Sequence, residues 1–356
     1  MNEIGRNLKK IRLLKNLSLK EAGNLLGMSS TAVTKYENGV LIPDSQKLIS
    51  FANAYEVKVI SLLKSYDYPN MKFTTLRKKK RLTGQNWQLL KDLIQEEVAK
   101  YMEVIQLNSI SCPNIKLKKF NCNSLEDAEE CAILFRHYIE ISNIQPMTDL
   151  ISILENLGIV IVQIENPDNR FDGFDGLGEV VENIPVIVLL DSIQDGARQR
   201  FTIAHELGHL VLNITDESLD EEKLCNRFAS ALLMPMEAVK NEFGTSRNGI
   251  SFFELVAFRK EYKVSYSAII HRLRELEIIS TSLYKILSVH VSYELSKDDL
   301  KPLEPEVSYQ FKKIIYKLEN NKIISVSKAC ELLGILENEY YKEDYNNWYK
   351  YNNWFK

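Results

Sequence analysis

The chemistry in this sequence is concentrated at His205, Glu206 and His209. Two histidines four residues apart lie on one face of a helix, one turn from each other, so their imidazoles can chelate a single metal ion. The glutamate after the first histidine projects beside the pair, where its carboxylate can take a proton from an attacking water. The spacing predicts a Zn²⁺-dependent hydrolase with His205 and His209 as metal ligands and Glu206 as catalytic base. Phe201 to Leu212 is apolar around these residues, which predicts a buried helix, and buried polar groups need partners that a metal can supply. Gly208 in mid-helix costs about 1 kcal/mol relative to alanine, which predicts close approach of another backbone.

Such a centre needs a third protein ligand and an open position. No histidine follows His209 closely, so the candidates are the carboxylates of Asp216 to Glu222. These lead into Lys223–Pro235, where Leu219, Leu224, Cys225, Phe228, Leu232 and Leu233 recur at helical spacing. On that second helix Glu221 lies near the centre of the apolar face and Glu222 near its edge, above Asn226. Spacing leaves both glutamates open as the ligand.

Other elements must hold these two helices. Residues 158–165 and 184–190 are rich in β-branched side chains and predict strands. Phe171 to Gly178 between them reads as a turn or loop, with Asp172 and Asp175 serving turn chemistry rather than catalysis. The strand just ahead of the metal helix could offer its edge to an extended peptide. Helices are predicted over 83–106, Leu125–Ser142, Pro146–Gly158 and, from Pro305, through Leu318. Ser251 to Glu254 is a capping-box pattern, and Val264–Leu273 is helical. His271 on that segment is a candidate oxyanion stabiliser, beside its reading as a structural histidine. Ser325–Gly334 looks like half of a helix-turn-helix.

The two metal-helix segments, RQRFTIAHELGHLVL and EKLCNRFASALLMP, together resemble the ImmA/IrrE family of metallopeptidases, small gluzincins of bacterial regulatory systems. The family's second helix carries E-x-x-A-N-x-F-A, whose glutamate is the third zinc ligand. The resemblance places that ligand at Glu222, puts Cys225 where alanine is usual, and makes Asn226 a partner that supports a ligand from behind. It also implies a protein substrate, a transcriptional repressor cut to relieve repression.

A second signal lies at the other end. Helices are predicted over Ile4–Lys15, Ser18–Leu26, Ser29–Asn38, Ser45–Tyr55 and Ile60–Lys64, with Ser18 and Ser29 as N-caps, Gly27 in a tight turn and Gly39 closing the third helix. The run LSLKEAGNLLGMSSTAVTKYENGVLIPDSQKL resembles the XRE (Cro/C1-type) helix-turn-helix, with Leu19 where glutamine is common and Gly23 where alanine is. The resemblance implies operator DNA as a partner, read by Ser29, Ser30, Thr31, Thr34 and Lys35, with Asn38 near the backbone. It also implies a homodimer.

Charge is segregated accordingly. Residues 1–82 carry a balance of +10, while the rest of the chain carries −13. Arg77–Arg81 concentrates the basic charge as a solvated linker or a DNA contact. With 356 residues and 45% hydrophobic content, two or three domains are expected. The divisions read as 1–68 helix-turn-helix, 69–110 basic linker and spacer helix, 111–245 peptidase, 246–338 helical domain and 339–356 aromatic, Asn-rich tail. Five scattered cysteines without a CxxC pair predict reduced thiols. No signal peptide or spanning segment is seen, so the expected location is cytoplasmic with no membrane partner.

The expected fold class is mainly α with a small β-sheet (α+β): an all-α helix-turn-helix domain, a minimal zincin-like domain and C-terminal helices. The expected function is a DNA-binding transcriptional regulator with a zinc endopeptidase domain. The alternative is a non-catalytic regulator or antitoxin that uses the zincin fold as a sensor or binding platform, and a peptidase acting on general peptides stands third.

Overall fold

The computed structural model describes residues 2–73, 82, 84–108, 117–216, 218–295 and 302–342. The basic cluster Arg77–Arg81, Cys112, Glu217 and the tail from residue 343 lie outside the described residues. The chain forms two compact units, Met1–Pro69 with Leu82–Ala99, and Asn70–Arg81 with Lys100–Lys356.

In the first unit five short helices follow one another: α1 (Glu3–Leu14), α2 (Leu19–Leu26), α3 (Ser30–Glu37), α4 (Ser45–Ala54) and α5 (Val59–Leu63). Local sequence sets their ends. Ser18 and Glu21 form a reciprocal capping box at α2, and Gly27 stops that helix in the left-handed region at φ 63°. Ser29 caps α3 by accepting from the Ala32 N–H, and Asp44 caps α4 by accepting from Lys47. Leu8, Ala22, Val33, Phe51, Tyr55 and Leu62 make the core. A buried fork-to-fork pair, Arg12 Nε to Glu37 Oε1 at 2.5 Å and Nη2 to Oε2 at 2.9 Å, ties α1 to the end of α3. A Cβ at Gly23 would lie 2.6 Å from the Met28 carbonyl oxygen, so a side chain there requires the backbone of the following turn to shift. The long helix α6 (Gly84–Leu107) contributes residues to both units.

The second unit is built around a three-stranded sheet, β2 (Val160–Ile164), β4 (Ile184–Leu190) and β3 (Gly176–Val181), where β4 is central, parallel to β2 and antiparallel to β3. A two-residue parallel pair joins β1 (Phe120–Asn121) to β5 (Leu212–Asn213). The helices are α7 (Leu125–Tyr138), α8 (Leu150–Asn156), α9 (Gly196–Val211), α10 (Glu221–Leu233), α11 (Met236–Phe243), α12 (Phe252–Tyr262), α13 (Tyr266–Glu275), α14 (Thr281–Leu295), α15 (Gln310–Asn320) and α16 (Val326–Leu333). One apolar core runs from Phe120 to Val291 and draws on residues either side of position 245. The α15–α16 pair buries Ile315, Leu318, Ala329 and Leu332 against Val104 of α6, so it completes a helical core of its own.

Two polar assemblies fix the helices. Fully buried Arg272 on α13 donates to both Glu129 oxygens on α7 and, through Nε at 2.9 Å, to the Met234 carbonyl after α10. The extended segment before α15 straps the start of α9: the Gly196 N–H donates to the Leu303 carbonyl at 2.7 Å, Gln199 exchanges two hydrogen bonds with the Glu306 backbone, and Arg200 pairs with the Glu306 carboxylate.

The mixed α+β class is as expected, but several boundaries are not. Gly176–Gly178, read as part of a loop, belongs to β3, a strand that the glycines disguised. The strand ahead of the metal helix, β4, is paired on both sides, so among the described residues the unpaired edges are those of β2 and β3. Helix α15 starts at Gln310 rather than Pro305, because the backbone of Glu306 is already bonded to Gln199. Helix α8 starts at Leu150 rather than Pro146, with Asp149 as its cap, and α7 ends at Tyr138 rather than Ser142.

Candidate functional site

Helix α9 carries His205, Glu206 and His209, and α10 carries Glu221, Glu222 and Asn226. The two helices touch where a Cβ on Gly208 would lie 3.2 Å from Cys225 Cα, so glycine permits the approach that sequence spacing suggested. Asp220 caps α10 and places both glutamates in its first turn, where the helix dipole favours negative charge.

Three ligand-type groups converge there. One atom each of His205, His209 and Glu222 lie within 4.8 Å of one another. His205 Nε2 is 3.3 Å from Glu222 Oε2, and His209 Nε2 is 3.6 Å from Glu222 Oε1. Donors around a tetrahedral zinc with bonds near 2.05 Å stand about 3.3 Å apart, so this set fits such an ion.

The opposite ring nitrogens are also held. His205 Nδ1 lies 2.9 Å from Asn226 Oδ1, and His209 Nδ1 lies 2.8 Å from Glu221 Oε1. Each acceptor favours a proton on Nδ1, which makes Nε2 the nitrogen that can bind a metal ion when one is present. Glu221 and Glu222 thus occupy different positions: Glu222 faces both Nε2 atoms, whereas Glu221 backs His209. Sequence reasoning treated the two as rivals and missed Glu221 as a supporting group, although its adjacency to Glu222 on the first helical turn was the available signal.

Glu206 is 1% exposed and lies under β3. A Cβ at Gly176 would come within 2.9 Å of Glu206 Cγ and 3.0 Å of its Oε1, and one at Gly178 would overlap the Glu206 carbonyl oxygen. These glycines were not singled out from sequence. A Gly-x-Gly beside a strand-like run signals close backbone approach as well as a turn. Below the site the Cys225 thiol is buried, and burial, then Glu221, Glu222 and Glu206, push its pKa well above the ordinary thiol range.

His271 is not brought to the three ligand groups. Its side chain is 60% exposed, lies 3.6 Å from Glu275 and edge-on to Tyr284, and lines a cavity that Asn226 also lines.

In the first unit, Ser29, Ser30, Thr31, Lys35 and Asn38 are exposed on or beside α3, while Thr34 is half-buried. The Ser29 hydroxyl accepts from Ala32 at 3.2 Å, and the Thr34 hydroxyl donates to the Ser30 carbonyl at 2.9 Å. Ser30, Thr31 and Lys35 are thus exposed together on the second helix of the pair.

Residues 154–274 match the model of the IrrE N-terminal-like domain (peptidase M78), and residues 8–62 match a helix-turn-helix model. Among curated proteins, the radiation response metalloprotease IrrE of Deinococcus radiodurans is 32% identical over 103 residues, covering 25% of this chain and 31% of that protein. The chain thus spans about a third of that relative's length. Among solved structures, Bacillus thuringiensis PlcR in complex with the peptide PapR7 and DNA is 14% identical, with 97% of this chain and 99% of that chain covered and a TM-score of 0.18. The Streptococcus dysgalactiae SHP pheromone receptor Rgg2 is 11% identical, with 96% and 100% covered and a TM-score of 0.16. At those scores neither likeness says anything about this chain. Among the described residues no helix is long and apolar enough to cross a membrane. The chain thus carries an N-terminal segment that matches an XRE-type helix-turn-helix model and a later one that matches the IrrE/ImmA (peptidase M78) domain model.

Proposed function

We propose that this protein is a cytoplasmic, DNA-binding regulator whose metallopeptidase domain cuts a protein substrate, a transcriptional repressor, at a Zn²⁺ centre held by His205, His209 and Glu222. The observation that carries the reading is the convergence of two Nδ1-anchored imidazoles and one carboxylate beside a buried glutamate.

When bound, Zn²⁺ supplies the positive charge that polarises the scissile carbonyl and eases deprotonation of the attacking water. Glu206 takes the water proton on its carboxylate and passes it to the departing amine. Asn226 and Glu221 keep the two imidazoles in the Nδ1–H tautomer. Gly176 and Gly178 let β3 lie close over Glu206, and the edge of β3 that no strand among the described residues pairs with is where an extended peptide would add as a strand. In the first unit, Ser29, Ser30, Thr31, Thr34 and Lys35 contact operator DNA, with Asn38 at the phosphate backbone and a homodimer reading two half-sites.

The test incubates zinc-loaded protein, or its Glu206→Gln variant, with repressors encoded beside its gene. Cleavage by the wild type alone is expected. Equal cleavage by both, or none of any neighbouring repressor, overturns the proposal.

A further inference from the structure

The second unit begins at Asn70, directly after Pro69 of the first. Its opening residues are fixed in place. Met71 and Phe73 are buried, and Phe73 takes the left-handed conformation at φ 52°. A bulky residue keeps that conformation only where its surroundings impose it. Here two consecutive backbone N–H groups, of Lys72 and Phe73, donate to the Glu179 carboxylate on β3, Phe73 at 2.9 Å. Each of the two oxygens takes one of these charge-assisted bonds. Successive N–H groups converging on one anion form a nest, and Glu179 supplies the anion from within the chain.

The place of Glu179 on β3 gives this clamp its meaning. Side chains alternate along a strand, so the Gly176 and Gly178 positions turn towards α9 while Glu179 turns to the opposite face. Leu177 and Val181 share that opposite face, and both are buried. Strand β3 is therefore held from two sides. On one, Gly178 meets the Glu206 backbone; on the other, the Lys72–Phe73 clamp grips the next residue along. Glu179 is itself buried, and among the described residues its hydrogen bonds go to these two N–H groups. Deprived of them, the carboxylate would be stranded away from water, and β3 would have to shift to solvate it. A shift at Gly178 passes to Glu206, because that contact is backbone to backbone.

We propose that residues 70–73 complete the peptidase site, with Glu179 as a positioning residue that holds β3, and through it Glu206, in the working arrangement. The inference rests on the peptidase reading above. The zinc ligands sit on α9 and α10, which pack on each other at Gly208 and Cys225, so the clamp acts on the base and not on metal uptake.

The test breaks the clamp from each side in the full-length protein. Glu179→Gln puts an amide N–H₂ where an acceptor is needed. Lys72→Pro removes one donor at an exposed side chain, and Lys72→Ala keeps that donor as a control. Hydrogen exchange of the Gly176–Val181 amides, which needs neither metal nor turnover, is expected to quicken at least tenfold in Glu179→Gln and Lys72→Pro. Lys72→Ala should match wild type, and zinc affinity should stay within twofold throughout. The double variant Glu179→Gln, Lys72→Pro should be no worse than the poorer single one, since both changes break one contact. Unchanged exchange in either single variant, additive effects in the double, or zinc affinity falling in step with exchange overturns the proposal. Cleavage of a mixed peptide library by the zinc-loaded proteins separates the two readings. A rate at least tenfold lower in both single variants is the supporting result. A wild-type rate with β3 loosened overturns the positioning role and leaves the peptidase reading standing. No cleavage even by the wild type, with β3 loosened in the variants, overturns the peptidase reading and with it the part of Glu179 in catalysis.

Discussion

Gly178 and Glu206 meet so closely that a Cβ at Gly178 would overlap the Glu206 carbonyl oxygen. The contact is backbone to backbone, so a rotamer change cannot relieve it, and either β3 or α9 must move. Because β3 also runs past the Glu206 carboxylate at Gly176, its position and that of the proposed base are set together. Gly178→Ala is expected to lower stability by about 1–3 kcal/mol, the usual effect of forcing extra atoms into a packed site. Cleavage should fall tenfold or more. Thermal unfolding and a cleavage assay on the same preparation check both, and a variant with wild-type melting temperature and rate would mean the approach is not tight in solution.

The outer carboxylate on His209 should matter to metal affinity and not to the fold. Glu221 Oε1 accepts from His209 Nδ1 at 2.8 Å across the surface of α10, where Glu221 is only partly buried. Replacing such a group weakens metal binding by roughly 10–100-fold. Glu221→Gln is expected to stay folded and to show that loss in a competition titration with a zinc chelator. Glu222→Ala is expected to lose high-affinity binding altogether. Identical affinities for Glu221→Gln and wild type would remove Glu221 from the centre.

Much of this site was legible in the sequence because helical spacing is rigid. A four-residue separation fixes which face His205 and His209 share, whatever else the chain does. The partners across α10 were harder. Periodicity places Glu221 and Glu222 only about 100° apart around the helix, and which one reaches the Nε2 atoms depends on how α9 and α10 cross. That crossing is set by the Gly208–Cys225 contact, a tertiary fact. The strand β3 was hidden for a related reason. Gly176 and Gly178 are required by the approach to Glu206, yet glycine weakens the local strand signal and imitates a turn. The strap at Leu303–Glu306 was unreadable from local pattern, because its backbone hydrogen bonds go to Gly196 and Gln199, more than a hundred residues earlier.

Arg272 offers a test of how the second unit is held. Its fully buried guanidinium binds both oxygens of Glu129, while Arg227 reaches Glu129 Oε2 at 2.9 Å and Glu275 Oε2 lies 3.4 Å from Arg272 Nη1. Removing one partner of a buried pair strands the other charge, at a cost of about 3–5 kcal/mol. Glu129→Ala should therefore lower the urea midpoint sharply. The double variant Glu129→Leu, Arg272→Met should recover part of the loss, since both charges leave together. A single variant as stable as wild type would show that water reaches the network.

The DNA face makes a prediction that depends on ionic strength. Lys35 is exposed on α3, one turn on from Thr31, and the Ser29 hydroxyl is already committed to the Ala32 N–H. On the proposed reading Lys35 contributes charge to phosphate binding, whereas the exposed Ser30 and Thr31 offer hydroxyls to base edges. Lys35→Ala should weaken binding to every DNA sequence alike and reduce the slope of log affinity against log salt by about one. Thr31→Ala should leave that slope unchanged and narrow the gap between operator and random DNA. Fluorescence anisotropy at several salt concentrations separates the two outcomes. If Lys35→Ala instead relaxed sequence preference at constant slope, the lysine would be reading a base, and α3 would enter the groove with a different face.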